Sequence, residues 1–541
     1  MTTVADTVAM HLVQAGVETV FGLPGGENVY LMEAFRRAGL RFVLVRNESS
    51  AVFMADATAR LTGRPGVCLT TLGPGALNAV AGVGHAYLDR APVLVITAET
   101  PGHLLAYHTH QVIDLGTLFA PITKGTFAVT AANVDETVPQ ALALTQGGRP
   151  GPVHLRLSNE EANLPAQPAA REQVAATPAT QLQLIGGAQS FEDEVARARA
   201  LLAQARRPVI VAGVGLEPEQ PYAALRELAE AAQAPVIVTP KAKGALPADH
   251  PLAAGVIGLT RSDPAYTILD EADALIAVGF DVVELVKPWQ QPQPLIWVAP
   301  WANDDPPLAS TAELVGPLAP SLEQLTDTVF ATDEDWGAAR VRQFRAERAR
   351  VVLPEPKAGR LRPQTVLEIL RQRAPRDLLV TTDVGSHKIL AALEWPAYAA
   401  NRYLLSNGLS CMGYALPAAI AASLALGQMT VALTGDAGLS MVLGELALLG
   451  EVQTPVLILV FNDSALDLIR SAQVRAGKQP FGTEFHNPDF LQIAAAYGLD
   501  ARRVATEAEC ATAIEQALAA GRPCLIEALI DPVSYPTTPH R

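Results

Sequence analysis

Two acidic residues, Asp436 and Asp463, each close an apolar run and are followed by small residues. Val431 to Thr434 stops at Gly435-Asp436, and Val456 to Phe461 stops at Asn462-Asp463. Carboxylate oxygens beside residues that expose their backbone suit a hard divalent cation, and Mg²⁺ commonly bridges protein carboxylates to a diphosphate. That chemistry requires the two acids to meet. Leu439 to Val452, between the runs, carries apolar residues at helical spacing. Strand, helix and strand form a β-α-β unit with a right-handed crossover, so both strands end on one edge of a parallel sheet. That edge is where open α/β sheets bind ligands. Taken alone, either Asp is most often a helix N-cap.

Glu48 is a third carboxylate at a strand end. It follows Phe42 to Val45, read as a buried strand, and precedes the apolar helix face Ser49 to Ala55. On spacing alone it is an acid favoured by the dipole of a helix N-terminus. His110 and Gln111 lie in Thr109-His110-Gln111-Val112-Ile113-Asp114, ahead of Leu118 to Lys124. Lys124 reads as an ordinary surface charge.

These residues need a scaffold, and the chain is long enough for several. Its 541 residues suggest about three to four domains. It is 49% hydrophobic and 18% charged, which is ample for buried cores and argues against disorder. Forty Lys and Arg against 55 Asp and Glu give −15, with no basic cluster, which excludes a nucleic-acid partner. No apolar run reaches the roughly 18 residues of a membrane span. The N-terminus lacks a basic flank and apolar core, so the expected location is cytoplasmic. Cys68, Cys411, Cys510 and Cys524 are far apart in sequence and read as small hydrophobes in a reducing compartment.

Three α/β domains with doubly wound parallel sheets are expected. The first covers 1–165, where helical and strand patterns alternate and Val20 to Gly26 reads as a strand ending in a Gly/Pro loop. Residues 163–190, rich in Ala, Pro, Gln and Thr, read as a linker. The central domain covers 191–335, with strands at Pro208 to Gly215, Pro235 to Val238 and Ala274 to Gly279. Gly213-x-Gly215 is half of a dinucleotide fingerprint and weak evidence for a nucleotide. A charged, Pro-spaced linker is expected at 335–362. The third domain covers 363–541, with a strand at Leu378 to Thr382 that runs into Asp383-Val384-Gly385-Ser386-His387.

The text of all three domains resembles the thiamine-diphosphate-dependent enzymes. FGLPGG, RNESSAVFMADATARLTG and TLGPGALNAVAGVGHAYLDRAPVLVITAE resemble, in that order, their pyrimidine-binding domain. Gly435-Asp436-Ala437 and Asn462-Asp463-Ser464 resemble the two ends of their metal motif, with Ala437 for the usual third Gly and Asp463 where many relatives have Asn. Asn-Asp-Ser followed by Asp467, together with the THQ…D…LF.PITK pattern, looks most like the FAD-independent, catabolic type of acetolactate synthase.

The resemblance implies Mg²⁺ held by Asp436, Asp463 and the carbonyl of Ala465. It implies that Ser386 and His387 contact the diphosphate of the cofactor, and that Met412, after Gly408-Leu409-Ser410-Cys411, wedges between its rings. A Met in an apolar run is otherwise core filler. Pro24, Gly25, Leu409, Ser410, Gly438, Leu466 and Leu468 complete the implied cofactor set. Glu48 would hydrogen-bond the aminopyrimidine and favour its imino tautomer, acid-base work relayed through the cofactor. His110, Gln111 and Gln473 would face the substrate. Gly279 to Leu285, followed by Pro288-Trp289, lacks the Arg-bearing run of the flavin-binding relatives, so no FAD is expected. The implied assembly is a homodimer or homotetramer with active sites between subunits. The implied reaction decarboxylates pyruvate and joins the remaining two-carbon unit to a second pyruvate, giving 2-acetolactate. A 2-keto acid decarboxylase, another carboligase or lyase, an acetyltransferase using sulfoacetaldehyde, and a non-catalytic homologue are the alternatives.

Overall fold

A computed structural model describes residues 2–107, 109–167, 190–260, 263–286, 291–304 and 308–535. Three six-stranded sheets organise the chain, and every strand pair within them is parallel. The first contains β1 (Thr19–Leu23), β2 (Arg41–Leu44), β3 (Gly66–Thr70), β4 (Val93–Glu99), β5 (Thr126–Ala128) and β6 (Val153–Ser158), in the order β2-β1-β3-β4-β6-β5. The central sheet contains β7 (Pro208–Ala212), β8 (Val236–Val238), β9 (Ala253–Val256), β10 (Ala274–Val278), β11 (Leu295–Ala299) and β12 (Ala312–Val315), in the order β12-β11-β10-β7-β8-β9. The third contains β13 (Leu379–Thr382), β14 (Tyr403–Leu405), β15 (Thr430–Gly435), β16 (Val456–Asn462), β17 (Asp500–Val504) and β18 (Cys524–Leu529), in the order β14-β13-β15-β16-β18-β17. The first and third sheets therefore share one topology.

Helices cover both faces of these sheets. That is why β16, Val456 to Asn462, is apolar almost throughout and buried at every position. The expected β-α-β unit is present: β15 pairs with β16 in the register Gly435↔Phe461. The connecting helix is not one piece, however. It runs Asp436–Met441, turns through a short 3₁₀ segment at Leu443–Glu445 and resumes at Leu446–Val452. The break turns Glu445, an acid in an apolar run, into the interior.

Two other expectations need correction. The strand before Glu48 lies at the sheet edge, and Leu44 is 46% exposed. Residues 335–362 are not a plain linker, because Ala338–Ala349 forms a helix that buries Arg340, Val341 and Phe344. Most of the 163–190 linker lies outside the described residues. Its first residues are docked: Pro165 pairs with Thr3, and the Ala166 N–H donates to the Thr2 carbonyl.

A buried polar network joins the three domains. Arg60 pairs with Asp56 at 2.6 Å and with Glu217 of the central domain. His85 stands between Asp56 (3.0 Å) and Asp89 (2.7 Å). Burial opposes its charge, but Asp89 and Asp56 prevail and raise its pKa. The Tyr414 hydroxyl of the third domain donates to Asp56, and Lys241 of the central domain lies 3.5 Å from Asp89. Removing one partner of such a network leaves an uncompensated buried charge and costs about 3–5 kcal/mol.

Candidate active site

The loops after β13, β15 and β16 enclose a cavity of about 140 Å³ at the carboxyl edge of the third sheet. Ser386, His387, Met412, the Gly435–Gly438 run, Asp463 and Ala465–Leu468 line it. Twelve residues expected around the cofactor thus meet in one place.

Acid is its dominant feature. Asp436 is not the helix cap; Gly435 holds that position without a side-chain bond. The Asp436 carboxylate instead accepts from Ala437 N (2.9 Å), Ser464 N (2.8 Å) and Asn487 Nδ2 (2.7 Å). Asp463 accepts from Ala465 N at 3.2 Å. Burial pushes its carboxyl up to about 7, and the charges of Asp436 and Asp467 add to that. Arg470 offsets little of this, because it pairs with Asp467 at 3.0 Å. Ser464, between Asp463 and Ala465, has φ +57°, a backbone conformation that costs of order 1–3 kcal/mol and clusters at functional sites.

The second feature is a cradle for an anion. Gly385 (φ +152°) opens the helix Ser386–Glu394, and a Cβ there would meet the His387 ring at 2.7 Å. The His387 Nε2 is buried without a partner among the described residues, and burial pushes the ring down to about 3, so it stays neutral. Ser386 Oγ donates to Asp467 at 2.8 Å. Backbone N–H groups at a helix start beside an unpartnered ring nitrogen suit a diphosphate. The acids that line the same cavity suit the divalent cation that would accompany it, so the residues fit both groups. Among the described residues no three His, Cys, Asp or Glu side chains group to hold a metal.

Sequence reasoning missed four residues here. Asp383 accepts from Val384 N, Gly413 N and Thr434 Oγ1 and so ties the Met412 loop to β13 and β15. Burial pushes its carboxyl up to about 6. Asn487 clamps Asp436, and Tyr535 lines the cavity. Glu445 accepts from the N–H of Arg46 at 3.1 and 3.2 Å, which docks the turn before Glu48 onto the third domain. Asp383 and Glu445 left a trace in the sequence, as an acid at a strand end and an acid within an apolar helix. Asn487 and Tyr535 left none.

The remaining expected residues lie outside this cavity. Leu409 and Ser410 sit on the loop before Met412, and Ser410 has φ +56°. Its hydroxyl accepts from Lys388 Nζ at 3.0 Å. Pro24, Gly25, Glu48 and Gln111 gather at the carboxyl edge of the first sheet. A Cβ on Gly25 would meet Thr71 Oγ1 at 2.3 Å, one on Gly75 would lie 3.1 Å from Glu48 Oε1, and one on Gly73 would meet the Gln111 carbonyl at 2.6 Å. Glu48 is the first residue of the helix Glu48–Thr62, whose cap is Asn47. It is 5% exposed and accepts from Asn78 Nδ2 at 3.1 Å. His110 is exposed. Gln473 has its amide committed: it exchanges two 3.0 Å hydrogen bonds with the backbone of Phe481. Lys124 is no free surface charge, since its Nζ donates to the Gly147 carbonyl and burial pushes it down to about 8.

Among the described residues, none of the first domain lines the third-domain cavity. Within one chain these residues therefore form two separate clusters, on sheets of the same topology.

Comparison with known proteins identifies the domains that carry these clusters. Residues 2–118 match the N-terminal TPP binding domain of thiamine pyrophosphate enzymes, residues 195–325 the central domain and residues 383–528 the C-terminal TPP binding domain. The chain belongs to the thiamine-pyrophosphate-dependent enzymes. It is 30% identical to a probable acetolactate synthase large subunit of Methanocaldococcus jannaschii, over 98% of this chain and 92% of that one. It is 30% identical to an acetolactate synthase of Bacillus subtilis, over 97% and 93%. It is 31% identical to a probable 2-ketoarginine decarboxylase of Pseudomonas aeruginosa, over 93% and 89%. Within the family it is an enzyme of the acetolactate synthase type.

Proposed function

We propose that this enzyme decarboxylates pyruvate and adds the two-carbon remainder to a second pyruvate, giving 2-acetolactate, as the FAD-independent type does. The observation that carries the reading is the acid-rich cavity beside the orphaned His387 ring, paired with Glu48 at the matching edge of the first sheet. Asp436, Asp463 and the Ala465 carbonyl would hold Mg²⁺. Ser386, His387 and the backbone of Gly435, Ala437, Gly438, Leu466, Asp467 and Leu468 would frame the diphosphate. Leu409, Ser410 and Met412 would set the bend of the cofactor. Thiamine diphosphate, when bound, supplies the electron sink that lets carbon dioxide leave a 2-keto acid. Pro24, Gly25 and Glu48 would meet its aminopyrimidine, and Glu48 would hold and release the proton that sets the tautomer. His110 and Gln111 would face substrate, while Gln473 would act by holding the loop to Phe481.

The separation of the two clusters supports a homodimer or homotetramer in which the first domain of one subunit completes the third-domain site of another. Leu77, Leu409, Met441 and Ile469 are all at least 42% exposed around the two halves, apolar surface that such an interface would cover. Residues 1–165, 191–335 and 363–541 then act as pyrimidine-binding, structural and diphosphate-binding domains. No helix among the described residues is long and apolar enough to cross a membrane.

The test is to incubate the purified protein with pyruvate, Mg²⁺ and thiamine diphosphate and identify the product by NMR. Acetolactate supports the reading. Acetaldehyde with no acetolactate overturns it in favour of a decarboxylase. The second reading, decarboxylation of a longer 2-keto acid, rests on the equal similarity to the probable 2-ketoarginine decarboxylase. Turnover of 2-ketoarginine with none of pyruvate would establish it.

A further inference from the structure

A second cavity, of about 280 Å³, lies between the central and third domains and shares no residue with the first. Its walls include Val236 and Val238 of β8, Phe344 of the helix Ala338–Ala349, and Leu393 and Trp395 at the end of the helix Ser386–Glu394. Small-molecule sites have this character, mainly apolar with a few placed polar groups, and this volume lies just under their range of about 300–1,000 Å³.

Its polar groups are cationic. Lys243, Arg345 and Arg348 line it, and Glu394 is the one lining acid, already paired with Arg348. Among the described residues, the other two cations donate hydrogen bonds only to main-chain carbonyls. Arg345 Nη2 donates to the carbonyls of Ala248, His250 and Ala253 at 2.7–3.1 Å. Lys243 Nζ donates to those of Ala391 (3.2 Å) and Ala392 (2.5 Å) and lies 4.9 Å from the Tyr403 ring centre. Asp249 is close enough to act on Arg345, but it is tied to Arg376 at 2.9 Å. Burial pushes Lys243 down to about 7; the Glu394 charge opposes this and the Arg348 charge adds to it. Trp395 completes the set. It is 2% exposed, and its Nε1 finds no acceptor among the described residues. A buried indole N–H usually has one, and an orphan asks for an explanation.

We propose that this cavity binds a small monocarboxylate with a short apolar tail, of about five or six carbons in all. Its carboxylate would take the Trp395 N–H and the field of the three cations, while its tail fills the space between Val236, Phe344 and Leu393. The site is linked to the first cavity through one helix. Lys243 caps the carboxyl end of Ser386–Glu394, and Ser386 and His387 at the other end face the first cavity. An anion that draws on Lys243 alters that cap.

The test is a calorimetric titration of the purified protein with 3-methylbutanoate and 4-methylpentanoate, which lack a keto group. Saturable binding of one per chain is expected, weaker by about tenfold or more for the uncharged 4-methylpentanamide. Ala253→Leu, which fills the cavity from β9, abolishes it; Arg348→Ala weakens it about fivefold or more. If Arg348→Ala fails to fold, Ala253→Leu decides. No saturable heat with either acid, or equal heat in Ala253→Leu, overturns the site. A second arm rests on the proposed role of the first cavity. Saturating 4-methylpentanoate is expected to change thiamine diphosphate affinity about twofold or more. Unchanged affinity overturns the helix link, while the first arm, which contains no cofactor, judges the site independently.

Discussion

In the third sheet, the loops after β13, β15 and β16 leave Asp436, Asp463 and Asp467 around a cavity with Arg470 as their nearby cation. In the central sheet, the loops after β7 and β10 close on themselves. Gly215 N donates to the Gly279 carbonyl at 2.7 Å. Val214 N donates to Glu284 Oε2 at 2.9 Å, and the Thr239 hydroxyl donates to Oε1 of the same carboxyl. A Cβ on Gly213 would stand 2.6 Å from Glu284 Oε2, and one on Gly215 would stand 2.5 Å from the Trp301 ring. Both are edges of parallel sheets at which ligands bind in other proteins. One edge turns backbone N–H groups toward open space; the other meets them with its own acid. Glycine next to a strand end therefore signals close approach, and what approaches can be a ligand or the chain itself.

The largest expected effect is at the open edge. Asp436→Ala removes one of the two carboxylates proposed to hold the cation, and thiamine diphosphate affinity measured by calorimetry with Mg²⁺ is expected to fall about hundredfold or more. Unchanged affinity in a folded variant would mean that the cavity is not the diphosphate site.

Next is Glu48, at the edge with the same topology in the first domain. Were it only a helix-start acid, Glu48→Gln would cost about 1 kcal/mol or less and leave activity intact. As the proton-holding group it is expected to fold and bind cofactor, but to slow hydrogen-deuterium exchange at the cofactor's C2 by about a hundred- to ten-thousandfold. Acid-quenched NMR without substrate reads this, and exchange at the native rate would remove Glu48 from the chemistry.

Much of this contrast was legible in the sequence, and the reasons it was not all legible are physical. Buried parallel strands are apolar runs that punctuate themselves with Gly, Asp and Asn, so the meeting of Asp436 with Asp463 could be read from local pattern. The helix Ala338–Ala349 was missed because five of its twelve residues are Arg or Glu adjacent to a Pro-spaced stretch, and only Arg340, Val341 and Phe344 are buried to mark its inner face. Asn487 reaches Asp436 across 51 positions of sequence, a contact made by folding alone. Likewise, no spacing rule foretells that Glu284 would turn back onto Val214.

The closed edge gives a smaller, sharper effect. Glu284→Ala leaves the Val214 N–H and Thr239 hydroxyl unpaired inside the protein, and the expected loss is about 1–3 kcal/mol. Thermal unfolding of the apo-protein checks this. The native protein is expected to carry no stoichiometric flavin. A flavin spectrum near one per chain would show that the central edge opens, which the Glu284 contacts oppose.

The smallest effect separates the charge of Glu284 from its shape. The side chain is 1% exposed. Burial, with Asp281 adding to it, pushes its carboxyl from 4.5 up to about 8, against the hydrogen bonds from Thr239 and Val214. The folded protein therefore keeps a proton there that the unfolded chain releases above about pH 4.5. Its stabilising contribution is complete below that pH and declines as pH rises through about 8, with a slope of at most about 1.4 kcal/mol per pH unit. Glu284→Gln keeps the length and an acceptor oxygen but cannot titrate. The native protein is expected to hold its advantage near pH 5 and to lose it toward pH 8, so that the thermal midpoints of the two apo-proteins converge or cross. Nothing in the third-domain cavity is altered by this exchange, so cofactor affinity is expected to stay within about twofold at any one pH. Midpoint profiles that run parallel from pH 5 to 8 would mean that Glu284 is already ionised in the fold. The central edge would then be sealed by a charged group, which an anion could not share but a cation could displace.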